Sequence, residues 1–326
     1  MSDIKAAASS VKQTAKGVVA SLILFFNVLI VFSAMMPIAL AKLLLPFSPV
    51  RRHADRALNF LAQGWISVNT GWITLMQRVR WEVSGIEGLT PQAWYLVGSN
   101  HQSWVDILVL QKVFAGRVPF LKFFLKRVLM YVPFMGLAWW ALDFPFMRRS
   151  GGGRSFARDL AATRKSCERF RGIPTSLINF LEGTRHTSAK HAAQRSPYRH
   201  LLKPKLGGMA MALAVMGDRF RCYLDVTIVY PGGVPSFWDL LCGRVSRVVV
   251  RVKQIAIPEG FGTRDFGSDS DYRHALQAWV TDVWREKDDF IDSIWRSKSE
   301  RFVSPKTHFD QKLSRLIRCS PSEAKM

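Results

Sequence analysis

The sequence is poor in cysteine and poor in acid. Four cysteines, Cys167, Cys222, Cys242 and Cys319, are scattered through 326 residues without a Cys-x-x-Cys pair. That usage excludes a disulfide framework and a thiolate zinc site. It fits reduced thiols in a cytosol-facing domain, acting as small buried hydrophobes. Gly-x-Ser-x-Gly is missing too, which argues against an acyl-enzyme of the hydrolase type. Gly151, Gly152 and Gly153 are not followed by Lys-Ser or Lys-Thr, so they make a flexible break rather than a nucleotide site. His186, His191 and His200 share one polar, basic stretch that has no carboxylate or cysteine at ligand spacing. The expectation there is a solvated loop and no metal.

Against 24 Asp and Glu stand 46 Lys and Arg, a formal net charge of +22. Such an excess calls for an anionic partner: phospholipid headgroups, a phosphorylated substrate, an acidic protein or nucleic acid. A nucleic-acid binder would carry cations interleaved with aromatics along one face. Here the cations are spread and no recognition motif appears, so no nucleic-acid partner is expected. A membrane-tethered basic binding protein without catalysis stays as the alternative of another class.

Charge is absent altogether from Gly17 to Ala41, between Lys16 and Lys42. As a helix this run would reach about 38 Å, enough to cross a bilayer core, although Pro37 should kink or end it. A second uncharged run, Ala57 to Gln77, is less apolar, and Trp65 and Trp72 suit an interfacial helix or a core helix equally. Basic residues flank the first run on both sides, so the positive-inside rule sets no orientation. The expected organisation is a basic segment 1–16, a membrane-anchoring helical region 17–78, a catalytic domain 79–296 and a basic tail 297–326, mobile or a peripheral helix.

Beyond Arg78 the patterns predict strands over 94–98, 176–181, 222–229 and 247–257. They predict helices over 104–114, 154–171, 206–216 and 272–295, the last with an apolar stripe from Leu276 to Trp284. Alternation of this kind implies an α/β domain. Four motifs punctuate it. Asn100-His101-Gln102-Ser103-Trp104-Val105-Asp106 holds an imidazole and a carboxylate five positions apart. Five helical residues turn about 500°, so the two meet only if His101 precedes the helix and Asp106 lies in its first turn. Ser103 to Asp106 is a helix-start signal that predicts this arrangement. Such a pair can deprotonate a hydroxyl. The alternative is a loop histidine beside an acid that favours the helix dipole. Asp143 to Arg149 ends in two cations. Phe180-Leu181-Glu182-Gly183-Thr184-Arg185 runs a strand into a turn with a guanidinium suited to phosphate. Val226 to Pro231 reads as a core strand ended by proline. Lys203 and Lys205 read as a solvated basic face.

In order and spacing the four motifs resemble the glycerolipid acyltransferase family, specifically the 1-acylglycerol-3-phosphate (lysophosphatidic acid) acyltransferases. The resemblance covers roughly residues 80 to 260 and the hydrophobic N-terminus. The second motif ends Arg148-Arg149 where the family usually has Asp-Arg, a departure that resembles the lysophospholipid and lysocardiolipin acyltransferase branch. The resemblance implies an α/β fold with a central mixed sheet flanked by helices, plus N-terminal membrane-anchoring helices. It implies His101 as general base and Asp106 as its orienting acid, with backbone N–H groups near the helix start for the oxyanion. It implies Arg149, Glu182, Gly183, Thr184 and Arg185 as the phosphate site. Acyl-CoA or acyl carrier protein would donate the acyl group, without a cofactor or a metal. The acceptor would be 1-acylglycerol-3-phosphate or another lysophospholipid such as lysophosphatidylglycerol. The site would face the cytoplasm from a bacterial-type inner membrane with an anionic surface.

Overall fold

The computed structural model describes residues 2–45, 47–132, 135–147, 161, 164, 167, 168 and 172–316. Most of the helix predicted over 154–171, with Gly151 to Gly153, Arg148, Arg149 and Cys319, lies outside them; residues 161, 164, 167 and 168 are helical.

Helices α1 (Ser2–Leu44) and α2 (Ser48–Met76) form an antiparallel hairpin. Asn27 near the middle of α1 meets Asn69 near the end of α2, Nδ2 to Oδ1, at 2.9 Å, and Lys42 at the other end meets Asp55. Of the kink or end expected at Pro37, the end does not occur: α1 continues through it to Leu44. Proline removes one backbone bond, whereas Met35 and Ala39 on either side are buried in the core shared with Leu58 and Ala62 of α2. Tertiary packing of a helix face outweighs that single loss. The second uncharged run is a core helix on one side, with Leu58, Ala62, Ile66 and Ile73 buried, and apolar yet exposed on the other, at Phe60, Val68 and Leu75.

Eight strands follow in chain order: β1 (Arg80–Ser84), β2 (Trp94–Ser99), β3 (Leu121–Phe123), β4 (Leu125–Lys126), β5 (Phe146–Met147), β6 (Ser176–Phe180), β7 (Phe220–Val229) and β8 (Arg247–Ile255). Six form one mixed sheet in the order β1-β8-β7-β2-β6-β3, while β4 and β5 pair separately. Only the β7–β8 pairing is antiparallel in the large sheet. The four predicted strands are its centre. Their β-branched runs are buried on both faces, as parallel strands covered by helices must be. Alternate residues divide between two cores. Tyr95, Val97, Val248 and Val250 face the hairpin and α3 (Val105–Phe114), whereas Leu96, Tyr223 and Val249 face the helix Gly207–Met216 and the C-terminal helix. That last helix, Ser270–Leu316, continues past 297.

The segment just before β5 is tied to the hairpin by charge as well as by apolar packing. Lys42 Nζ lies 2.7 Å from Asp55 and 2.6 Å from Asp143, and donates to the carbonyl of Ala141 at 2.9 Å. Both partners are largely buried, and removing one member of a buried ion pair strands the other charge. Lys42→Met should therefore lower the unfolding free energy by about 3 kcal/mol, read from denaturant melts in detergent.

Candidate active site

Strands β2, β6 and β7 run in one direction, so their carboxyl ends share one edge of the sheet. After β2 the chain proceeds first to the β6 side and later to the β7 side, and the crevice outside such a switch point is where open α/β sheets place ligands. His101 sits there. Asn100, fully buried, locks the end of β2 to β7: its Nδ2 donates to the carbonyl of Ile228 and its Oδ1 accepts the Ile228 N–H, both at 2.9 Å. With the strand end pinned, residues 101–103 form a loop and Asp106 falls in the first turn of α3.

The Asp106 carboxylate organises this loop. Its Oδ2 accepts the ring Nδ1–H of His101 at 2.9 Å, the N–H of Gln102 at 2.6 Å and the N–H of Ser103 at 2.9 Å. Its Oδ1 accepts the hydroxyl of Tyr230 at 2.6 Å. A carboxylate on Nδ1 assigns the proton to that nitrogen and leaves Nε2 with the lone pair. The imidazole also stacks on Phe180, ring centres 4.0 Å apart and 14° from parallel. Ring position and tautomer are both fixed, which is what a general base requires.

His101 opens onto a cavity of about 850 Å3. Its walls are nearly all apolar: Val28, Phe32 and Met35 from α1, Trp65 from α2, and Ile107 and Leu108 from α3, among others. Gly183, Thr184 and Arg185 line it beside the histidine. The volume and lining suit a long apolar ligand with one polar end. Among the described residues no group of three or more His, Cys, Asp or Glu is placed to hold a metal ion.

Known proteins are similar to this chain in sequence. Residues 80–231 match the family model described as "Acyltransferase". Lysocardiolipin acyltransferase 1 of Danio rerio is 25% identical over 261 residues, covering 74% of this chain and 62% of that protein. The 1-acyl-sn-glycerol-3-phosphate acyltransferase delta of Mus musculus is 25% identical over 216 residues, 62% of this chain and 53% of the relative. The chain thus spans little more than half the length of these relatives. The crystal structure of PlsC, the 1-acyl-sn-glycerophosphate (LPA) acyltransferase of Thermotoga maritima, aligns with a TM-score of 0.48 at 17% identity, over 86% of this chain and 98% of that one. Residues 80–231 are an acyltransferase-family domain.

Within the acyltransferase domain the structure gathers His101, Asp106, Gly183, Thr184 and Arg185 around the cavity, and Glu182 beneath it. Arg149 lies outside the described residues. Gly183 has φ +68, which favours glycine, and its N–H closes the turn onto the Phe180 carbonyl at 2.9 Å. Arg185 is exposed, its guanidinium 4.8 Å from the Trp104 ring centre. Lys190, which the sequence patterns do not single out, brings a second cation by donating to Thr184 Oγ1 at 2.8 Å and to the Arg185 carbonyl at 3.0 Å. Lys203 and Lys205 are exposed, as expected. Glu182 differs from its neighbours: it is fully buried, and its Oε1 accepts the His101 N–H at 3.2 Å. It braces the histidine's backbone, and the cavity wall at this turn comes from the three residues after it.

Four of the N–H groups near the start of α3, where an oxyanion site is expected, already have partners. Those of Gln102 and Ser103 are committed to Asp106, that of Val105 to Ser103 Oγ at 3.1 Å and that of Asp106 to the Ser103 carbonyl at 3.2 Å. The loop consumes them in holding its own shape. Asn100 opens the motif that ends at Asp106, but its clamp on β7 has no local signal. Two further contributors were hidden in the sequence. Tyr230 looks like a core aromatic. Lys287 sits in the charged run Arg285 to Asp289, yet it is fully buried, with Nζ 2.8 Å from Asp225 Oδ1.

Burial pushes the Glu182 carboxyl up to about 8, partly opposed by the backbone N–H groups of His101 and Leu202 and by the charge of Lys287. A carboxyl raised on folding binds its proton more tightly in the native state, so stability falls as pH rises from the ordinary value near 4.5 through about 8. Glu182→Gln cannot titrate. Denaturant melts across that window should show wild type losing stability relative to Glu182→Gln as pH increases, and a constant difference would refute the assignment.

Proposed function

We propose that this chain is a membrane-bound O-acyltransferase. It moves a fatty acyl group from acyl-CoA or acyl carrier protein to the sn-2 hydroxyl of 1-acylglycerol-3-phosphate, giving phosphatidic acid. The observation that carries the proposal is the His101–Asp106 pair, 2.9 Å apart, at the wall of an apolar cavity with a cationic turn beside it. His101 Nε2 takes the proton of the sn-2 hydroxyl as its oxygen attacks the thioester carbonyl carbon. Asp106 stabilises the imidazolium. The tetrahedral intermediate expels the thiolate, which receives the proton from His101, so the enzyme returns to its starting state. No cofactor or metal takes part. Arg185, Thr184 and Gly183, with Arg149, hold the acceptor phosphate, Arg185 by paired charge-assisted bonds. Because the N–H groups of Gln102, Ser103, Val105 and Asp106 are occupied, the cationic turn also serves to stabilise the oxyanion.

Membrane attachment has its own support. Residues Ala7–Leu44 form a helix long and apolar enough to cross a membrane, with an 18-residue stretch of mean hydropathy 2.6. Its outer face carries Leu22, Phe25, Phe26 and Ile30 exposed, continued by Phe60 and Leu75 of α2. So large an apolar band needs a non-aqueous partner. The same hairpin walls the cavity, which gives a lysolipid a sideways route from the leaflet. A net charge of +22 favours an anionic surface and an acidic carrier protein. We place the catalytic domain on the cytoplasmic side of a bacterial-type inner membrane.

A second acceptor is to be tested beside the first, because a lysocardiolipin acyltransferase is among the relatives. Purified protein offered lysophosphatidate, lysophosphatidylglycerol and other lysolipids with acyl-CoA should favour lysophosphatidate. Equal or better turnover of lysophosphatidylglycerol would move the assignment to phospholipid remodelling. His101→Ala and Asp106→Ala should each cut transfer at least about 100-fold. Full transfer in both variants would remove the catalytic assignment, and no transfer by wild type to any lysolipid would favour a basic binding protein.

A further inference from the structure

We propose that Tyr230 is a positioning residue that sets the basicity of His101 through Asp106. Neither side chain of the Tyr230–Asp106 contact is exposed by more than 1%, and the 2.6 Å bond comes from a residue 124 positions away in sequence. Asp106 Oδ2 is saturated by three donors, whereas Oδ1 has Tyr230 as its one hydrogen-bond donor among the described residues. The phenol therefore decides how much negative charge Asp106 presents to the imidazole. A strong donor on Oδ1 withdraws charge from the carboxylate and makes the imidazolium less favoured. Without it the carboxylate holds the imidazolium more firmly.

Geometry makes the contact a built one. Tyr230 follows β7 directly, and the Asn100 clamp on Ile228 fixes the register two residues before it. Phenol and carboxylate thus descend from two neighbouring strands locked to each other. The phenol itself is held well above its ordinary range by burial and by the Asp106 charge, so it stays a donor throughout the working pH range. The other titratable groups facing this cluster are Glu182, under the His101 backbone, and His186, whose N–H donates to the His101 carbonyl at 2.7 Å. Lys287 acts on Glu182 from the C-terminal helix, and Arg185 lies over Trp104. None of these is altered by a change at Tyr230.

The test uses full-length protein in detergent and two variants that move the donor in opposite directions. Tyr230→Phe deletes the hydroxyl. Site-specific incorporation of a difluorotyrosine at position 230 makes it a stronger donor. The His101 imidazole titration is followed by NMR on isotope-labelled histidine, assigned by its loss in His101→Gln. This arm needs no substrate, so it stands even if the proposed acyl transfer, on which the kinetic arm rests, is wrong. In Tyr230→Phe the titration should move up by about half to one pH unit, the worth of one hydrogen bond to a charged group. In the fluorinated protein it should move down. The acid limb of kcat/KM for acyl transfer should follow both shifts. On the acid limb, below both titrations, kcat should fall about three- to tenfold in Tyr230→Phe, by the same one-bond scale, with KM for the lysolipid unchanged. If Tyr230→Phe fails to fold, the fluorinated protein alone decides. No shift in the folded variants, or shifts of the same sign in both, would overturn the proposal and leave Tyr230 as core packing.

Discussion

Four hydrogen bonds converge on the buried carboxylate of Asp106, and the site depends on them. Two come from consecutive backbone N–H groups, one from the His101 ring and one from the Tyr230 hydroxyl. The backbone pair fixes the conformation of the loop before α3. The ring bond chooses the tautomer. The phenol joins the loop to the end of β7. An ionised group so deep in a protein is tolerated only when its lone pairs are satisfied, and here satisfying them shapes the loop. The N–H groups of Gln102 and Ser103 are spent in the process.

A second constraint acts from outside the acyltransferase domain. The α1–α2 hairpin supplies a wall of the apolar cavity and exposes an apolar band on its outer side. The Lys42, Asp55 and Asp143 cluster fixes one end of the hairpin to the turn before β5, while Asn27 and Asn69 join the two helices further along. Hairpin and cavity are therefore one mechanical unit. A lipid that reached His101 along this cavity would keep its chain against the hairpin and bring only its polar end to the imidazole.

Much of this was legible in the sequence where a physical pattern had a single solution. Central strands β2, β6, β7 and β8 are β-branched or apolar runs between turn residues. The Ser103-to-Asp106 start signal placed His101 before a helix. The features that stayed hidden have local patterns compatible with more than one structure. β1 is Arg-Trp-Glu-Val-Ser, an edge strand whose charges are spent partly on the Arg247–Glu82 ion pair at 2.7 Å across the ladder. β3, β4 and β5 are two or three residues long, too short for any period. Pro37 argued for a kink or an end, and the helix does not end there. Tyr230 and Lys287 owe their roles to partners more than 60 positions away, Asp106 and Asp225, and no local pattern reports such contacts.

The most direct test of the central claim is an experimental structure with lysophosphatidate and a non-transferable thioether analogue of the acyl donor bound together. The account predicts the sn-2 hydroxyl within hydrogen-bond reach of His101 Nε2, the donor carbonyl carbon beside it, the phosphate on Arg185, and an acyl chain against Val28 and Phe32 of α1. Ternary binding with the sn-2 hydroxyl away from His101, or with the phosphate on another surface, would contradict it.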